Sequence, residues 1–343
     1  MKVLHHSIFE PLPNGHGGEK RSYQIYVEAQ ENGVAFANLV FTHKESLSLC
    51  RICSAAVLLL RVYGVHVWKS LWAFLRQVRN TAYHYEQLVS FFRDSDATVF
   101  LWESVRPEWY ILPYLARQYG KRVIACPHNI ESLVPNQKSA LFRMSKKQAF
   151  LREVKVLSSC DEVYAISHEE TWLLSLWGVK AQCYLYSPVG EVREQMLAIK
   201  EQRTQIIEKP FYFLLGTAIN PPTRMGMQHI IDVWGEENIQ VPLHVGGYGS
   251  ESLHIPKGQS YVVFLGELTD AQLLEEQVHT RAMLVYQPPT TGALTRIAEA
   301  IVADIPIIAN YASARSFYNC ANVYVYQDDS ELLSILSNQC NDI

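Results

Sequence analysis

The sequence predicts an α/β chain of two halves of comparable length, each a parallel sheet with helices between its strands. Three observations carry this. Residues 282–286 (AMLVY) form an apolar run without polar alternation, as in a parallel strand buried on both faces. A Pro-Pro-Thr-Thr-Gly turn follows, and then Leu294, Ile297, Ala298, Ile301 and Val302 recur at helical spacing before the next strand, 305–309. The same alternation of short apolar runs and amphipathic stretches recurs along the chain, without solenoid-type repeats. It is interrupted at Ser187-Pro188-Val189-Gly190, which sets the domains at 1–190 and 191–343.

Length and composition bound the rest. A chain of 343 residues suits two domains of about 150 to 200 residues. Hydrophobic residues at 48% and charged residues at 19% describe a globular chain, and a net charge of -4 gives no general electrostatic case for nucleic acid. The seven cysteines are odd in number and scattered, and no cleavable signal peptide opens the sequence, so a reducing cytosol is expected. Cys50 and Cys53 make a lone CxxC without a second pair or nearby His, and read as ordinary buried thiols. No run of 18 apolar residues marks a membrane span.

In the first half, strand 1–9 leads into a Pro- and Gly-rich loop, with a helix from about Glu19. Gly17 and Gly18 let the backbone pass close to a ligand at the positive end of that helix, or simply make a flexible loop. Strand 34–42 follows, then a largely helical stretch, 47–92. There Arg51, Arg61, Lys69, Arg76 and Arg79 mix with Trp68, Trp72 and Phe74. Such a basic, aromatic helix lies in an anionic membrane surface or packs its rings on the sheet. Strands 98–102 and 122–126 come next. The second ends in Pro127-His128-Asn129-Ile130-Glu131, and an imidazole at the carboxyl end of a parallel strand suits contact with a sugar hydroxyl or a phosphate. Strand 162–166 ends at Ser167, an N-cap with Glu170 at capping-box spacing, and strand 182–186 closes the half.

The second half opens with a charged helix, 191–208, and strand 211–215. Gly216 and a polar loop follow, in which Arg224 is the one cation and suits a diphosphate. Strands 242–247 and 261–266 and helix 268–278 lead to the 282–309 unit; strand 322–326 and helix 330–338 end the chain. In a strand, glycine loop and helix unit, unpaired N–H groups at the sheet's carboxyl edge can hold an anion.

Glu299, Ala300, Ala303, Asp304, Pro306, Ile307, Ile308 and Ala309 resemble, in register, the donor-nucleotide segment of retaining GT-B glycosyltransferases of the family 4 type. The His128-Asn129-Ile130-Glu131 string and the Gly17-Gly18 pair resemble two further loops of that family. The resemblance implies GT-B architecture, two Rossmann-like domains facing each other across a cleft. The implied reaction moves a sugar from a nucleotide-sugar donor to a glycan, lipid-linked or small-molecule acceptor, with retention of configuration. Glu299 would accept the ribose hydroxyls. Gly216, Arg224 and the N–H groups of Gly292, Ala293 and Leu294 would hold the diphosphate, and the acceptor would enter near Gly17, Gly18 and His128. No cofactor or metal is expected, since Asp328-Asp329 lies too late to be a metal-binding DxD string. The expected location is cytoplasmic, or peripheral at the inner face of the membrane.

One position departs from the family pattern. Eight residues before Glu299 stands Thr291, where the family carries the Glu that contacts the donor sugar. A different donor sugar, a substituting side chain or lost catalysis each accounts for it. The alternative reading is a non-catalytic GT-B domain that binds nucleotide-sugar or glycan as a partner subunit.

Overall fold

The computed structural model describes residues 1–103, 105–135, 139–255 and 260–339. The chain divides into two compact units, Met1–Leu185 and Tyr186–Ile343. Residues 186–190, expected at the end of the first domain, therefore lie in the second unit.

The first unit holds β1 (Lys2–His6), α1 (Gly17–Glu31), β2 (Ala35–Asn38), α2 (Leu49–Tyr63), α3 (Leu71–Ala82), α4 (Tyr85–Arg93) and β3 (Val99–Trp102). It continues with α5 (Ile111–Gln118), β4 (Arg122–Ala125), α6 (Lys146–Leu157), β5 (Glu162–Ala165), α7 (His168–Leu176) and β6 (Ala181–Cys183). Its six strands pair in parallel in the order β2-β1-β3-β4-β5-β6. The strand order therefore reverses between β1 and β3, the point at which open α/β sheets bind ligands.

The second unit holds α8 (Gly190–Arg203), β7 (Phe211–Leu215), α9 (Pro221–Glu236), β8 (Leu243–Gly246), β9 (Val262–Gly266) and α10 (Asp270–His279). Then come β10 (Thr280–Val285), α11 (Thr295–Val302), β11 (Ile307–Asn310), β12 (Val323–Tyr326) and α12 (Asp329–Gln339). The parallel order is β12-β11-β10-β7-β8-β9, with the reversal between β7 and β10.

Several expected boundaries shift for local reasons. Helix α1 starts at Gly17, two residues early, because His16 caps it: its Nδ1 accepts from Gly18 N at 3.1 Å, and Glu19 returns a bond to His16 N at 2.8 Å. Helix α11 starts at Thr295 and not Ala293, because Gly292 takes φ +86° and Leu294 is still extended at the N-cap. The stretch 47–92 is three helices, with Gly64 at φ +73° ending the first and serine caps at 48 and 70 opening α2 and α3. Ser167 caps α7 as read, at 3.1 Å from Glu170 N. Cys50 and Cys53 are exposed, not buried.

Arg21, on α1, is fully buried. It donates to Leu185 O (3.1 Å), Tyr184 O and Gln24 Oε1, and its guanidinium lies 4.0 Å from the Tyr184 ring centre. Burial pulls its pKa down. This arginine fastens α1 to the chain beyond β6. It is a structural tie.

In the second unit a glycine fixes the approach of α9. A Cβ on Gly226 would lie 1.9 Å from Tyr286 O, so the helix rests directly on the backbone at the end of β10. Gly226→Ala is expected to cost about 1–3 kcal/mol in denaturant unfolding, because the obstacle is backbone that cannot rotate away. Gly33→Ala meets open space and only the strain of φ +68°, and should cost no more than about 1–2 kcal/mol.

Candidate functional site

In the first unit the reversal between β1 and β3 gathers a polar cluster that the sequence reading did not assemble. β1 ends in His5-His6 and pairs with β3 so that His6 faces Trp102; Glu103 follows, with its N–H on His6 O at 3.0 Å. Glu103 is 1% exposed. It accepts from His5 Nε2 (2.5 Å), His128 Nε2 (3.2 Å) and the Ser22 hydroxyl of α1. Burial favours the neutral carboxyl, but the hydrogen bonds from His128 and His5 outweigh it and hold the pKa well below the usual carboxylate range.

An ionised Glu103 fixes the tautomer of His128. Nε2 donates to that carboxylate, so in the neutral ring the lone pair is on Nδ1. That Nδ1 is buried and has no hydrogen-bond partner among the described residues. The ring stacks on Phe9 with centroids 4.8 Å apart, and Phe9 in turn packs where a Cβ on Gly18 would stand, 2.8 Å away. Gly18 therefore admits Phe9, and its N–H belongs to His16; the expected ligand contact through that amide is not available. Gly17 is the first residue of α1.

The loop that carries His128 is tied at its far side. Glu170 accepts from Ile130 N at 3.3 Å, and Glu153 accepts from Glu131 N (2.9 Å) and Ser132 N (2.8 Å). Burial lifts Glu153 to about 7.

In the second unit the stretch after β10 is pinned from three sides. Asn310 exchanges two bonds with the Gln287 backbone, at 3.1 and 2.9 Å, and Gly226 seats α9 on Tyr286. Arg315 donates to Thr290 O and, at 3.3 Å, to Thr291 O. Thr291 is half-buried. Past Gly292, the N–H groups of Ala293 and Leu294 meet no acceptor among the described residues.

Arg296, absent from the sequence reading, is in the first turn of α11. It has no hydrogen-bond or charge partner among the described residues, and its Nε is buried. Burial brings its pKa to about 10. A cation there opposes the helix dipole, and burying it unpaired is costly. The part of this visible in the sequence is a cation one turn past a glycine loop, at the start of a helix. Glu299, 7% exposed, accepts from Tyr186 Oη at 2.9 Å, so its carboxylate is oriented by the segment that opens the unit.

Two expected diphosphate contacts change. Gly216 N bonds Gly246 O at 3.1 Å, so this amide is committed to the sheet; the glycine serves close packing, since a Cβ would meet Thr223 at 2.6 Å. Arg224 lies on α9 and not in the loop, is exposed, and donates to Ser252 O at 3.1 Å. Pro221 at the first helical position starts α9 earlier than the loop reading allowed. Among the described residues no group of three His, Cys, Asp or Glu is placed to hold a metal ion.

No protein-family profile matches the chain, nor does any curated protein. Solved structures do. HepE of Anabaena in complex with UDP-glucose is 14% identical with a TM-score of 0.61, over 100% of this chain and 90% of that one. The chain has the GT-B fold. Two further structures extend the likeness to GT-B proteins. The trehalose-6-phosphate protein of E. coli bound with UDP-2-fluoro glucose is 12% identical at TM-score 0.57, over 99% and 91% of the two chains. The α,α-trehalose 6-phosphate synthase of Burkholderia multivorans is 10% identical at 0.59, over 99% and 88%.

The cluster around Glu103 predicts a pH effect. Burial, then the charge of His5, lowers His6 from 6.5 to about 4, so the folded chain stays unprotonated there while the unfolded chain takes up a proton. The contribution of His6 to stability is complete above pH 6.5 and is lost as pH falls toward 4. Glu153 acts with the opposite sign, losing its contribution as pH rises from 4.5 toward 7. Urea unfolding of the wild type should therefore be compared with His6→Phe. Their difference should move against the wild type by up to about 3 kcal/mol between pH 6.5 and 4.

Proposed function

We propose that this chain is a glycosyltransferase that binds a nucleotide-sugar on its second unit and transfers the sugar to a hydroxyl acceptor. The observation that carries the proposal is the conjunction at the β10 to α11 turn. Free N–H groups of Ala293 and Leu294 and the unpaired guanidinium of Arg296 suit a diphosphate, and the oriented carboxylate of Glu299 suits a ribose. The GT-B fold, shared with proteins that hold UDP-sugars, supports the same reading.

In this reading the diphosphate gains charge as the sugar departs, and the α11 amides with Arg296 stabilise it without a metal. Arg296 takes the part first given to Arg224. Glu299 accepts the ribose hydroxyls while Tyr186 holds it in place. His128 presents its Nδ1 lone pair to a sugar hydroxyl, with Glu103 as the positioning residue that keeps the proton on Nε2. Retention of configuration and a glycan, lipid-linked or small-molecule acceptor follow the family resemblance. Thr291 offers a single hydroxyl where that family has a carboxylate, and this favours as second reading a GT-B domain that binds the nucleotide-sugar without transferring it.

A thermal-shift series with UDP, GDP, ADP and their sugar conjugates tests the donor site. Saturation at about 100 times the dissociation constant stabilises by roughly 2.7 kcal/mol. One nucleotide family, with UDP expected first, should raise the melting temperature, and Glu299→Ala and Arg296→Gln should each weaken binding by about 10- to 100-fold. No shift with any nucleotide refutes the donor site. A shift without sugar transfer to any acceptor selects the second reading. In a transferring preparation, Glu103→Gln and His128→Ala should lower kcat/KM by about tenfold or more while the nucleotide shift is kept.

A further inference from the structure

A separate feature of the first unit involves residues of neither cluster. From residue 46 to residue 85 the sequence carries five Lys and Arg and no Asp or Glu, within a chain of net charge -4. Arg51 is paired to Glu45 at 3.4 Å. Arg61, Lys69, Arg76 and Arg79 have no carboxylate partner among the described residues.

Helix α3 turns Ala73, Val78, Thr81 and Ala82 inward. Its outward positions are Trp72, 81% exposed, Leu75, Arg76 and Arg79, at the i, i+3, i+4, i+7 spacing of one helix face, with Leu71 also exposed at the first turn. A shallow groove of about 580 Å³ runs beside this face, lined by Lys69, Trp72, Leu75, Arg76, Arg79 and Ala140. The neighbouring α2 buries Ala55, Leu58, Leu59 and Tyr63 and leaves Leu49, Cys53, Val57 and Leu60 exposed on its other side. An indole and leucines left in water beside unpaired cations are out of place on a freely solvated surface.

We propose that α3, with the exposed side of α2, is a docking face for an anionic phospholipid bilayer. The occupant follows from charge and shape. Unpaired guanidinium and ammonium groups attract phosphate headgroups, and the indole and leucines enter the boundary between headgroups and acyl chains. A second copy of the chain would bring the same cationic face against its own, where like charges repel. No helix among the described residues is long and apolar enough to cross a membrane, so the contact is peripheral. The groups involved belong to neither candidate cluster, so the inference stands apart from the transfer reading.

The test is vesicle flotation of the full chain, with phosphatidylcholine alone and with about a third phosphatidylglycerol. The wild type should float with the anionic vesicles, not with phosphatidylcholine alone, and release at about 1 M salt. Arg76→Gln combined with Arg79→Gln should weaken partitioning by roughly fivefold per charge removed. Trp72→Ser should weaken it as well, whereas Trp172→Ser, on the exposed side of α7, should match the wild type. Absence of binding to anionic vesicles, or equal binding by wild type and both α3 variants, overturns the proposal. So does a dimer in sedimentation that Trp72→Ser abolishes without any vesicle binding. Neither nucleotide nor acceptor enters the assay, so its failure is distinct from failure of the transferase reading.

Discussion

A carboxylate buried at a sheet edge must be fully supplied with donors, and that requirement organises the first unit. Glu103 draws His5 from β1, Ser22 from α1 and His128 from the loop after β4 onto two oxygens. Each donor comes from a different segment, so the ion joins the elements on which it stands. The same demand dictates chemistry. Because Glu103 stays ionised, His128 turns an N–H toward it, and its other nitrogen meets no hydrogen-bond partner among the described residues. The cluster lies where the strand order reverses, the one place at which two adjacent strand ends are left uncovered by their connections.

The second unit meets the opposite requirement. Around the turn after β10, the described residues leave positive groups unsatisfied: amide N–H groups at the start of α11 and the guanidinium of Arg296. The backbone there is nevertheless rigidly specified, since Asn310, Arg315 and the close approach of Gly226 hold the preceding stretch. A turn so firmly held that still presents uncompensated positive charge is the feature on which the proposed diphosphate site rests. Glu299 adds an acceptor whose direction Tyr186 sets.

Much of this could be read from residues in order. Strand runs, the helix after Gly292, the Ser167 cap and the division into two α/β halves follow from periodicities and caps that act within a few residues. His128 and Glu299 are singled out by their place in a strand-loop-helix unit together with the family resemblance. Errors arose where a local reading had to decide what an amide or cation would meet. Gly216 and Gly18 look like open backbone, yet one amide closes a strand pair and the other is capped by His16. Arg224 was assigned to a loop that Pro221 had already turned into helix.

Hydrophobic period and capping chemistry are short-range, so the order of residues is enough for the α/β class, the two-unit division and the positions of most elements. Which polar groups are satisfied depends instead on how distant segments pack. Glu103 gains its histidines from residues 98 and 25 positions away, Glu299 gains Tyr186 across 113, and Arg296 gains no partner at all among the described residues. Hydrogen-bond supply in a buried site is set by which strands lie side by side. Strand order is a long-range property that no local pattern encodes.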